Sequence, residues 1–117
     1  MHDVFVYGTL RRGGGAHAKM IGARLKRICW TGWGYALLDL DAFLAMVRAK
    51  AGRVRGEVYE VDAQMLAVLD RYEGVPALYT RDQILLEDGT HAWAYVWAGS
   101  TRRRTVIGGD WVGGRGR

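Results

Sequence analysis

Val4-Phe5-Val6-Tyr7-Gly8-Thr9-Leu10-Arg11-Arg12-Gly13-Gly14-Gly15 changes character abruptly within a dozen residues. The apolar, β-forming run 4–7 predicts a short buried strand. Three consecutive glycines then exclude a regular element at 13–15. A loop follows the strand, with a backbone free to take unusual angles and to approach a ligand closely. A chain that leaves a buried strand through Gly and Thr can turn consecutive backbone N–H groups outward. Such a nest binds a carboxylate or a developing oxyanion. Taken alone, Tyr7-Gly8-Thr9-Leu10 is more often an ordinary strand-to-loop turn.

Outward from this stretch, residues 16–25 carry Ala16, Met20 and Ala23 at helical spacing and predict a short helix. Residues 27–40 turn to a strand pattern, with Gly32 and Gly34 suggesting bulges or a sharply bent sheet. Residues 44–47 and 54–61 are further strand candidates, separated by a turn at 50–53. Asp62 is an N-cap, and Met65, Leu66, Leu69 and Tyr72 recur at three- and four-residue spacing. An amphipathic helix over 63–73 follows, stopped by Gly74 and then Pro76. Asp88-Gly89 between two apolar runs predicts a two-residue hairpin. Its second strand puts His91, Trp93, Tyr95 and Trp97 on one face and Thr90, Ala92, Ala94 and Val96 on the other. A large aromatic face opposite a small one suits a barrel wall or a tightly curved sheet. Together these elements give an α+β fold: a small mixed, curved or barrel-like β-sheet of six to seven strands flanked by short helices.

The 117 residues fit one domain, half apolar and a quarter charged. Residues 1–112 are expected to form it, with 113–117 a flexible basic tail. Glycine, 17 of 117, is at about twice its average usage. With one proline and 13 aromatics, that composition fits strands, tight turns and close backbone approaches. The net charge of +5 divides unevenly. Residues 101–117 hold five arginines against Asp110, and residues 1–100 hold twelve basic against eleven acidic groups. The body is nearly neutral, so nucleic acid is not the expected ligand. The longest uncharged run, 89–101, is too short and polar to span a membrane, which needs about 20 apolar residues. No secretory signal is visible, and the single Cys29 excludes an intrachain disulfide, so a cytoplasmic protein is expected. His2, His17 and His91 fall at no ligand spacing, so no metal is expected. Cys29 in its Trp-rich run is a small core residue rather than a nucleophile. No Ser-His-Asp order, Walker loop or dinucleotide fingerprint is present.

Two further groups could carry chemistry. Glu73 in Asp70-Arg71-Tyr72-Glu73-Gly74 ends the helix, where the dipole disfavours a negative charge. Partial burial would disfavour it further, and a carboxyl of raised pKa is a better general base near neutrality. The alternative is an exposed Glu pairing with Arg71 or Arg81. In Tyr79-Thr80-Arg81, a hydroxyl and a guanidinium could position a polar substrate, or could be a core aromatic beside a surface charge.

Val4-Phe5-Val6-Tyr7-Gly8-Thr9-Leu10-Arg11-Arg12-Gly13 resembles the opening of the γ-glutamylcyclotransferase-like family, which includes the γ-glutamylamine cyclotransferases and AIG2-like proteins. Gly56-Glu57-Val58-Tyr59-Glu60-Val61 resembles the family's central strand, and Leu69-Asp70-Arg71-Tyr72-Glu73-Gly74 the helix end that carries its catalytic glutamate. Tyr79-Thr80-Arg81, Ala94-Tyr95-Val96-Trp97 and Gly108-Gly109-Asp110-Trp111 resemble the motifs that follow in order. The chain departs from the family at Ala16-His17, where Asn-His is frequent.

The resemblance implies a pocket lined by the 7–10 loop and closed by Glu73. It implies conversion of a γ-glutamyl amine or amide to 5-oxoproline and free amine, without metal or cofactor. Glu73 would be the general acid/base. Tyr7, Gly8, Thr9, Leu10, Tyr79 and Arg81 would bind the substrate. The alternative is a non-catalytic pocket domain that binds an amino-acid-like ligand. A further alternative is a weak nucleic-acid or acidic-partner binder working through the cluster Arg102, Arg103 and Arg104.

Overall fold

The computed structural model describes residues 1–12, 14–40, 44–99, 105–107 and 109. Its elements are β1 (His2–Val6), a 3-10 turn (His17–Met20), β2 (Arg24–Trp30), β3 (Tyr35–Asp39) and β4 (Leu44–Arg48). They continue with β5 (Arg55–Val61), α1 (Ala63–Glu73), β6 (Tyr79–Leu85), β7 (His91–Trp97) and β8 (Thr105–Ile107). The fold is the expected α+β mixed sheet with one helix, but with eight strands rather than six or seven. The 27–40 pattern splits into β2 and β3 around Gly34, which takes a φ of +115°, and the eighth strand is the short β8, which pairs antiparallel with β3. The helix expected over 16–25 is reduced to the 3-10 turn, because Gly22 (φ +95°) ends it and β2 begins at Arg24.

β1 lies centrally, antiparallel to β5 and parallel to β7. β7 receives β1 at Val4↔Trp93 and β4 at Met46↔Val96, and pairs antiparallel with β6 along its whole length. The sheet therefore branches at β7, one arm running through β1, β5 and β2, the other through β4, β3 and β8. It curves until the end of β2 meets the end of β6 in a single bridge, Thr31↔Leu86, but no ladder closes it into a barrel. The hairpin loop holds three residues, not two. Leu86 N–H donates to Thr90 O at 2.8 Å, Gly89 N–H donates to Leu86 O at 3.0 Å, and Gly89 has a φ of +86°. That is a type I turn followed by a left-handed glycine, the usual three-residue solution.

Both faces of the sheet carry a buried cluster. Phe5, Leu37, Met46, Val58, Ile84 and Ala94 pack inside the curve. Val4, Val6, Tyr59, Leu66, Leu69 and Tyr95 pack between the sheet and α1. Strand alternation sends Val4 and Val6 to the helix side and Phe5 to the inside. Cys29 belongs to the inner cluster, where burial raises its thiol pKa. Gly56 permits the close crossing of β5 over β1, since a Cβ there would lie 2.4 Å from Val6 O and 2.6 Å from the Phe5 ring. No helix among the described residues is long and apolar enough to cross a membrane. The arginine cluster 102–104, the Asp110-Trp111 motif and the tail 113–117 lie outside the described residues.

Candidate active site

α1 is set by its ends. Asp62 Oδ1 accepts from Met65 N–H at 2.8 Å, capping the first turn. At the other end Gly74 turns left-handed (φ +68°), Gly74 N–H donates to Arg71 O and Val75 N–H to Asp70 O. This Schellman closure satisfies the final carbonyls and fixes the direction of the last helical residue, Glu73.

Glu73 lines a cavity of about 420 Å³. The remaining walls come from the end of β1 and its loop (Tyr7, Gly8, Thr9, Leu10), from β4 (Leu44), β6 (Tyr79) and β7 (Tyr95), and from Tyr72 beside Glu73. Residues 66 positions apart in the chain thus face one space, because β1 ends where α1 ends. Burial pushes the Glu73 carboxyl up from 4.5 to about 7. Among the described residues no cation pairs with it and no group donates a hydrogen bond to it. Removed from water without compensation, its charged form is disfavoured.

The loop beside it is held through its carbonyls. Arg11 N–H donates to Gly8 O at 2.9 Å, Ala16 N–H to Thr9 O at 2.9 Å, and His17 Nδ1 to Leu10 O at 2.9 Å. Arg12 N–H donates to Glu57 Oε1 at 2.9 Å. The carbonyls of 8–10 are therefore engaged. Among the described residues the N–H groups of Gly8, Thr9 and Leu10 donate to no backbone acceptor. Donors with no internal partner in a concave wall are what an anion site needs.

The tyrosines are committed differently. Tyr7 O–H donates to Tyr95 O at 2.7 Å and accepts from Met46 N–H at 3.1 Å. Tyr79 O–H donates to Leu44 O at 2.6 Å, and its ring meets Trp97 edge-on with centroids 5.3 Å apart. Both hydroxyls serve the backbone, so these residues give the cavity its ring walls. Burial raises both hydroxyl pKa values, with the Glu73 charge adding to the effect.

Of the residues expected at the site, Glu73, Tyr7, Gly8, Thr9, Leu10 and Tyr79 line the one cavity. Arg81 does not. It shares the Tyr79 face of β6 but stands two residues further on, about 7 Å along the strand. There it pairs with Asp70, Nε to Oδ1 at 2.8 Å, and lies over the Trp93 ring at 4.4 Å. Leu44, Tyr72 and Tyr95 line the cavity without having been expected. The aromatic face read along 91–97 contains Tyr95, but nothing local marks which ring of that face meets β1. Among the described residues no group of three or more His, Cys, Asp or Glu side chains could hold a metal ion.

The profile of the family described as "Gamma-glutamyl cyclotransferase, AIG2-like" matches residues 4–113. A Vibrio cholerae protein named provisionally as a gamma-glutamylcyclotransferase is 43% identical over 94% of this chain and 95% of its own. The rat gamma-glutamylaminecyclotransferase is 36% identical over 69% of this chain, a match that spans 60% of the longer rat protein. The crystal structure of a mouse AIG2-like protein superposes with a TM-score of 0.80 at 28% identity, covering 92% of this chain and 86% of its own. The chain belongs to the gamma-glutamyl cyclotransferase, AIG2-like family.

Proposed function

We propose that this protein converts a small γ-glutamyl amine or amide to 5-oxoproline and the free amine, with Glu73 as general base and then general acid. The observation that carries this is the half-buried Glu73 carboxyl, raised to about 7, in the same cavity as three loop amides with no backbone acceptor.

In this reaction the substrate supplies its own nucleophile. Glu73 takes a proton from the substrate α-ammonium, freeing the amine. The amine nitrogen attacks the γ-carbonyl carbon, a C–N bond closes the five-membered ring, and the oxyanion forms. When the oxyanion collapses, the original γ-amide C–N bond breaks, Glu73 returns its proton to the leaving nitrogen, and the ring nitrogen gives up its second proton, so that the amine departs as an ammonium ion. A carboxyl with pKa near the working pH suits both transfers. The amides of Gly8, Thr9 and Leu10 face an anionic oxygen of the substrate, and fixed donors help most at the oxyanion that develops in the transition state. The Tyr7, Tyr79 and Tyr95 rings and Leu44 hold the chain folded toward the ring geometry, which is catalysis by orientation. No cofactor enters these steps. A single, buried Cys29 fits a reducing, cytoplasmic compartment.

The test is release of 5-oxoproline from γ-glutamyl amino acids, ε-(γ-glutamyl)-lysine and glutathione, wild type beside Glu73→Gln. Product from one substrate class, reduced at least about 100-fold in the variant, is expected. Full activity in Glu73→Gln overturns the role of Glu73. Saturable binding of a γ-glutamyl compound without product favours the pocket-domain alternative.

A further inference from the structure

We propose that Asp70 and Arg81 act as a charge-balanced pair that positions Glu73 and sets the pH at which it exchanges its proton, a role that rests on the acid/base function of Glu73. Asp70 and Glu73 are three residues apart on α1, so they rise from one face of the helix. Asp70 Oδ1 accepts from Arg81 Nε at 2.8 Å and from Tyr95 O–H at 2.8 Å. The two donors stand directly opposite each other in the β6–β7 register. Arg81 is further seated on the Trp93 ring. The last turn of α1 is thereby pinned to two strands at one carboxylate oxygen. Glu73 projects from that pinned turn into the wall it shares with Tyr95.

Among the described residues the charges around Glu73 are few. From the sheet it is faced by the hydroxyls of Tyr7 on β1, Tyr79 on β6 and Tyr95 on β7, all raised by burial and neutral through the physiological range. On its own helix the neighbours are Asp70, the exposed Arg71 and Tyr72. Asp70 and Arg81 are partly buried together, with a quarter of each side chain exposed. Their charges cancel as Glu73 sees them. Without Arg81, a bare carboxylate would stand one turn from Glu73 and raise its proton affinity. Without the Asp70 charge, a bare guanidinium would lower it. At a side-chain spacing of about 6 Å, either change moves the titration by about one pH unit.

The test is a pH titration by NMR of the full chain carrying ¹³C at the glutamate carboxyls. There are four glutamates, at 57, 60, 73 and 87. The Glu73 resonance is the one lost in Glu73→Gln. Arg81→Met is expected to raise its midpoint by about one pH unit and Asp70→Asn to lower it by a similar amount. The double variant is expected to return it close to wild type. Asp70→Asn keeps an oxygen for both donors, so it changes charge with little change of contact. Equal midpoints in all four proteins overturn the proposal, even if the melting temperature falls. The rising limb of kcat/KM should move in parallel. A midpoint that moves while the limb does not upholds the pair and overturns the acid/base function of Glu73.

Discussion

Glu57 accepts the backbone N–H of Arg12 at 2.9 Å, and this bond ties the far end of the 7–10 loop to the β1–β5 pair. The same oxygen accepts Tyr59 O–H at 3.0 Å, and Glu57 is only 4% exposed. A buried carboxylate in a strand is costly unless it is hydrogen-bonded. Here its partners are the reason the loop keeps one shape. Glu57→Leu strands a part-buried N–H and a buried hydroxyl, and should destabilise by roughly 2–4 kcal/mol. Glu57→Gln retains an acceptor and should lose about 1 kcal/mol or less. Denaturant midpoints measure the difference. KM for the γ-glutamyl substrate should rise in the leucine variant and be restored in the glutamine one. Equal stability in both variants would remove the anchoring role.

Tyr7 is the second anchor. Its hydroxyl bridges Tyr95 O on β7 and Met46 N–H on β4, strands whose direct register contact is the one pair Met46↔Val96. Tyr7→Phe removes the hydroxyl that a buried carbonyl and a buried amide share, while changing volume little. A loss of roughly 2–4 kcal/mol is expected. Amide exchange should quicken most at Met46, the donor set free. A variant as stable as wild type, with Met46 still protected, would show that the β4–β7 junction does not depend on this hydroxyl.

Local chemistry made part of this protein legible from its residues. Asp62 and Gly74 bound α1 at 63–73 because caps act within one turn. The run 4–7 announced a buried strand because both faces of β1 are covered. The branch at β7 left no such mark, since β1 and β4 reach it from more than 40 residues away in the chain. The loop expected as the two residues Asp88-Gly89 holds three because Glu87 sits inside the turn while Leu86 pairs with Thr90. At the site, Glu73 and the 7–10 loop were readable from their motifs. Arg81 was not, because strand parity gives a face but not a position along it. Asp70, which claims Arg81, is defined only once α1 lies across β6 and β7.

Two glycines of the loop should respond oppositely to alanine. A Cβ at Gly14 would stand 2.3 Å from Thr9 O, and backbone cannot step aside as a side-chain tip can. The Thr9 carbonyl is also held by Ala16 N–H. Gly14→Ala must therefore open the loop, at roughly 1–3 kcal/mol, and disperse the amides of 8–10. At Gly8 the nearest atom is Leu44 Cδ1 at 3.5 Å, an ordinary contact. Gly8→Ala should fold with near-native stability and place its methyl beside Leu44 in the cavity wall, raising KM. Thermal melts with Michaelis curves separate the two. Comparable melting temperatures for both variants would mean that the loop rearranges freely and is not preorganised.

Glu73 should make stability depend on pH in a direction opposite to a salt-bridged acid. Its folded pKa of about 7 lies above the ordinary 4.5, so the folded state binds the proton more tightly than the unfolded chain. The resulting stabilisation is fully present below about 4.5 and is lost as pH rises through 7. Above that range the buried charge weakens the fold, by at most roughly 3 kcal/mol. Glu73→Gln mimics the protonated form at every pH. It should melt with wild type at pH 4 and several degrees above it at pH 8. In wild type, kcat/KM should rise along a single limb centred near pH 7, as Glu73 loses its proton to become the base. A melting difference that is the same at both pH values would mean the carboxyl is solvated in solution, and the limb should then fall near 4.5.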